Sequence, residues 1–131
     1  RKAPTFLEKM RLTHSRVRQA TEAFDHLQVR EVPDPAGDNG SALIIELPDK
    51  DQGNRFRKAL RAENIRCDRC SDKLAYQYPV ILEAMGEFEK CPETEARLQR
   101  CVMIPLSPAL KEEHVNGLIL GIQKVGASLQ Q

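Results

Sequence analysis

Residues 92–115 read Pro92-Glu93-Thr94-Glu95-Ala96-Arg97-Leu98-Gln99-Arg100-Cys101-Val102-Met103-Ile104-Pro105-Leu106-Ser107-Pro108-Ala109-Leu110-Lys111-Glu112-Glu113-His114-Val115, and three elements follow from that order. Pro92 suits the first turn of a helix, and Glu93 and Glu95 lie where the positive end of its dipole favours acids. Val102 to Leu106 is an apolar run of strand length, and Pro105, which has no N–H to give a ladder, points to an edge strand or a strand terminus. Ser107 to Glu113 then opens a last helix, in which Val115, Leu118, Ile119, Ile122 and Val125 share one stripe. Gly117 and Gly121 each weaken that helix by about 1 kcal/mol relative to alanine, so close packing against a sheet or a neighbour is expected there.

Upstream, Thr5 to Leu27 places Phe6, Met10, Val17, Ala20 and Phe24 near multiples of 3.6, the spacing of a long amphipathic helix with Pro4 in its first turn. Leu27 to Val32 alternates as a half-buried strand, Pro33 to Gly40 is dense in turn formers, and Ser41 to Leu47 returns as a more buried strand. An antiparallel pair with a long connection results. The connection lacks the GxxxxGK[ST] pattern of a phosphate loop, and no helix starts at its end. A second helix begins at Pro48-Asp49-Lys50-Asp51, with Phe56, Ala59 and Leu60 inward and Arg55, Arg57, Lys58 and Arg61 on a solvated face. Asn64 to Cys67 reads as a third strand, followed by a loop through Ser71-Asp72-Lys73. Tyr76 to Leu82 is the one aromatic concentration in a chain with 5% aromatics and reads as a packed loop. Helix, two strands, helix, strand, loop, helix, strand, helix make a two-layer α+β domain with about four mainly antiparallel strands.

A length of 131 residues fits one such domain with one core. Lys plus Arg number 20 against 19 Asp plus Glu, and the two signs are interleaved, which argues against nucleic acid or a membrane surface as partner. No apolar run approaches the roughly 20 residues of a membrane span. Residues 1–4, Arg-Lys-Ala-Pro, carry no secretion signal, and a start without Met marks the chain as a piece of something longer.

Four cysteines are too few for a disulfide-stapled scaffold, so a reduced, cytoplasmic setting is expected. Cys67-Asp68-Arg69-Cys70 forms a CxxC pair, and Cys91 and Cys101 would complete a zinc site by count alone. A helix between the latter two, however, separates them by roughly 15 Å, too far for one tetrahedral metal. The CxxC also follows no strand-to-helix junction of the thioredoxin kind. His14, His26 and His114 have no partner constellation and read as structural or exposed. No nucleophile with a base, carboxylate pair or cofactor fingerprint stands out.

The quoted stretch resembles the closing segment of DegT-type aminotransferases, where a helix of the form p-x-[ST]-E-x-x-x-x-R leads into LPLxPxLTEE-x-[VI]. Arg55 to Ile65 looks like the same family's L-x-x-x-G-I helix and turn, with Asn64 in place of glycine, the usual substitute in a left-handed helix end. The similarity is strongest over the final forty residues, looser over residues 41–66, and topological before that. It implies that residues 1–131 are the carboxy-terminal small domain of a fold-type I enzyme dependent on pyridoxal phosphate. The cofactor would be held on a lysine in a large domain of roughly 250 further residues, and no cofactor-binding or catalytic residue is expected here.

The resemblance further implies a homodimeric parent that moves an amino group from glutamate or glutamine to a keto sugar, a nucleotide-linked sugar or a related cyclic ketone. Many members carry H-Y-P-x-P-L-H after the third strand. Gln77-Tyr78-Pro79-Val80-Ile81-Leu82-Glu83 aligns with it, Gln77 and Glu83 replacing both histidines, which leaves Tyr76 and Tyr78 as the substrate-contacting candidates. Two other readings compete: a stand-alone binding or regulatory module on the same fold, and a cysteine-dependent zinc or redox protein.

Overall fold

A computed structural model of the protein describes residues 3–70, 74, 77–86 and 89–129. Among these described residues the elements run in the order α1 (Ala3–Thr21), β1 (Gln28–Val29), β2 (Ala42–Glu46), α2 (Lys50–Ala62), β3 (Asp68–Arg69), α3 (Pro79–Met85), α4 (Pro92–Arg100), β4 (Cys101–Pro105) and α5 (Glu112–Ser128). The strands form one antiparallel sheet ordered β1-β2-β4-β3. The two-layer α+β architecture expected from the sequence is the one observed.

The side-chain period of two along a strand decides where the core lies. Leu43 and Ile45 of β2 and Val102 and Ile104 of β4 point to one face and are buried there with Val17, Phe56, Leu60, Val115, Ile122 and Val125 from α1, α2 and α5. Their neighbours in sequence, Ile44, Glu46 and Met103, face the other way and are only half-buried.

Asn64 is the only non-glycine residue at positive φ among the described residues, at 60°. Its N–H donates to Arg61 O at 3.1 Å and the Ile65 N–H to Leu60 O at 2.9 Å. That pair of bonds is a Schellman closure of α2, with Ile65 packed beside Leu60 in the core, so asparagine does what glycine does in the family pattern.

Several boundaries differ from expectation. The first helix ends at Thr21 instead of continuing to Leu27. The Thr21 hydroxyl donates back to Val17 O at 2.9 Å, and the following turns bring Phe24 and Leu27 to the core. Gly126 of α5 leaves room for the Phe24 ring, since a Cβ there would lie 2.9 Å from Phe24 Cδ2. The amino-terminal half of α1 stays outside, with Phe6 49% exposed. The third strand is Asp68–Arg69, not Asn64–Cys67, because the latter segment serves the helix stop: the Arg61 guanidinium takes the Cys67 carbonyl at 2.9 Å.

Of the two places that Pro105 pointed to, an edge strand or a strand terminus, it takes the terminus. β4 lies between β2 and β3, and Pro105 is tolerated because it is the last residue of β4 and β3 reaches only to Met103. The loop expected over residues 76–82 is in part a helix, α3, started by Pro79 at its first turn and closed by Gly86 at φ 76°. α5 starts at Glu112, after a turn in which Leu110 N–H donates to Ser107 O at 3.1 Å. The two α5 glycines part company. A Cβ on Gly121 would overlap the Ile65 side chain, whereas one on Gly117 would meet open space.

Candidate functional site

The half-buried face of the sheet carries the polar chemistry. α4, packed against α2, borders this side along a cavity of about 440 Å³ lined by Arg30, Ile44, Glu46, Cys70, Arg97 and Cys101 together with Glu93, Thr94 and Leu98. Glu46 sits at its base with 13% of its side chain exposed. Arg97 donates to Oε2 through Nε at 2.9 Å and forms an ion pair through Nη2 at 2.8 Å, while Arg100 reaches Oε1 through Nε at 3.1 Å and Nη2 at 2.5 Å. Burial raises the pKa of Glu46, but the hydrogen bonds from Arg100 and then Arg97 outweigh it and hold the carboxyl below its usual range. The clamp locks the carboxy-terminal turn of α4 to the end of β2. It also ties two guanidinium groups to one carboxylate.

The segment before α3 reaches α4 through Gln77. Gln77 accepts from Leu74 N–H at 2.8 Å and donates to Glu95 Oε1 of α4 at 3.0 Å, tying the start of this segment to α4. Tyr78 follows as the residue before α3 and is 45% exposed. Glu83 lies exposed on α3. Tyr76 lies outside the described residues, so of the two aromatic candidates Tyr78 alone can be placed. Gln77 is the residue that sequence reasoning missed as an anchor; its alignment with a family histidine was the available signal.

The cysteines separate by strand parity. All four are thiols. Cys67 is buried on the core face, its Sγ donating to Arg57 O at 3.5 Å, and burial raises its pKa. Cys70, three residues on along an extended segment, opens onto the cavity on the opposite face. Cys91 and Cys101 flank the two ends of α4. Among the described residues no three His, Cys, Asp or Glu side chains converge as a metal site. His114 Nδ1 accepts from the Lys111 N–H at 3.2 Å, capping the start of α5.

A second groove, between the α2 stop and α5, is lined by Asn64, Ile65, Ile104, Leu110, Gly117 and Leu118 among others. No lysine lines either this groove or the first cavity among the described residues. No helix among the described residues is long and apolar enough to cross a membrane.

Known structures share this arrangement. The aminotransferase TlmJ from Streptoalloteichus hindustanus superposes with a TM-score of 0.80 at 19% identity, over 100% of this chain and 34% of that one. Helicobacter pylori PseC, an aminotransferase involved in the biosynthesis of pseudoaminic acid, gives 0.74 at 14% identity over 97% and 34%. Spr1654 from Streptococcus pneumoniae in its PMP-form gives 0.76 at 14% identity over 98% and 32%. The chain thus spans about a third of the length of each. No curated protein sequence matches it. The sequence pattern of the DegT/DnrJ/EryC1/StrS aminotransferases matches residues 1–123, nearly the whole chain, and the protein belongs to that family.

Proposed function

We propose that the chain is the small domain of a pyridoxal-phosphate-dependent aminotransferase, acting with a large cofactor-binding domain of the same polypeptide in a homodimer. The parent transfers an amino group from glutamate or glutamine to a keto sugar, a nucleotide-linked sugar or a related cyclic ketone in the cytoplasm. The observation that carries this reading is the family match over residues 1–123 on a fold that covers one third of a full-length aminotransferase. The domain's own part is to help close the cleft over the reacting centre. Tyr78, held half-exposed beside the Gln77 anchor, is proposed to touch the keto substrate, and Tyr76 with it.

The full-length protein tests this. It is expected to show the visible absorbance of bound cofactor and to convert glutamate to 2-oxoglutarate in the presence of a keto sugar nucleotide or a cyclic ketone. Tyr78→Phe is expected to weaken the acceptor's KM several-fold while leaving the half-reaction with the amino donor intact. A parent without cofactor absorbance overturns the enzyme reading in favour of a binding module. Unchanged acceptor kinetics in Tyr78→Phe remove the tyrosine alone.

A further inference from the structure

The CxxC motif pairs the wrong cysteines. The fold sets a different two together: β3 and β4 run antiparallel with Asp68 opposite Met103 and Arg69 opposite Val102, so one more step puts Cys70 opposite Cys101. Both belong to the half-buried face and both line the cavity under α4. Directly opposed residues on antiparallel strands have Cα atoms about 4.5–5.5 Å apart, inside the roughly 4.4–6.8 Å range of disulfides.

We propose that Cys70 and Cys101 are a redox-modifiable dithiol, oxidised to an intrachain disulfide by a small-molecule disulfide that enters the cavity. Each thiol is the other's main electrostatic partner. Donation from the Cys70 thiol holds Cys101 below the ordinary thiol range, and the same bond together with burial pushes Cys70 up, so the pair's first thiolate is at Cys101. Arg97 and Arg100 also favour that thiolate, while Glu46 opposes it.

The exchange balances without any further reagent. The pair's thiolate attacks one sulfur of the incoming disulfide, expelling one small thiolate and leaving a mixed disulfide. The neighbouring thiol loses its proton to solvent and attacks the protein-side sulfur, and a second small thiolate leaves. Two protein thiols are oxidised by two electrons and one small disulfide is reduced to two thiols. The new bond closes the base of the excursion between β3 and β4, which carries α3, Tyr78 and α4.

Trypsin makes the test direct, because cleavage after Arg66, Arg69, Lys73, Lys90, Arg97, Arg100 and Lys111 leaves every cysteine in its own peptide. The full-length protein is treated with oxidised glutathione, remaining thiols are alkylated, and the digest is mapped without and with reductant. The expected product is residues 70–73 joined to residues 101–111, lost on reduction and absent from Cys70→Ser. Cys91→Ser is expected to leave it unchanged. A Cys67–Cys70 link, a stable glutathione adduct on Cys70 without the cross-link, or full alkylation of both Cys70 and Cys101 overturns the proposal. Cys70 is only half-buried, so its serine variant folds where replacing the buried Cys101 risks the core.

Discussion

The two faces of one sheet show what different work the same strands do. Toward α1, α2 and α5, Leu43, Ile45, Val102 and Ile104 are sealed into the core, and the contacts are apolar and close-packed. Toward α4, one residue along each strand, the neighbours are a clamped carboxylate, two facing thiols and a cavity. The first face supplies stability without chemistry; the second gives up packing for groups that titrate, pair and react. Alternation along a strand allows both, and a one-residue slip of register would exchange them.

Three experiments press on that contrast. Phe56→Ala empties the fully buried centre of the first face and is expected to cost about 3–5 kcal/mol in chemical denaturation; a cost near zero would mean the core is not where the fold puts it. Gly121→Val drives a side chain into Ile65 and is expected to destabilise by about 1–3 kcal/mol. Gly117→Ala, one turn earlier on the same helix but facing open space, is expected to stabilise by up to about 1 kcal/mol. Equal effects at the two glycines would break the assignment of the α5 stripe.

Glu46→Gln acts on the second face and is expected to cost about 1 kcal/mol at neutral pH, modest because both arginine partners reach solvent. The folded-state pKa of Glu46 is depressed, so its contribution is present above the unfolded value, about 4.3, and is lost as pH falls through the lower folded value. The denaturation midpoint of the wild type should therefore drop more steeply in acid than that of Glu46→Gln. Parallel acid limbs would show that the clamp contributes nothing.

The sequence made the framework legible where local chemistry and tertiary need agree. The periods of α2 and α5, the alternation in β2 and Asn64 as a left-handed helix stop are all read from a few neighbouring residues. Expectation failed where the deciding partner is remote in sequence. The end of α1 at Thr21 depends on where Phe24 finds space against Gly126. The Glu46 clamp joins residues more than fifty positions apart and leaves no local pattern. Likewise the CxxC spacing drew notice to Cys67 and Cys70, although a separation of three along extended chain sends them to opposite sides.

Strand lengths within the sheet carry one more consequence. The two outermost strands, β1 and β3, are two residues each, while the two inner ones span five. Unpaired backbone groups on a long border invite another chain to dock and propagate a ladder, and here the borders are too brief to template one. Among the described residues the sheet therefore offers a sibling copy little border to extend, with its longest ladder kept in the middle.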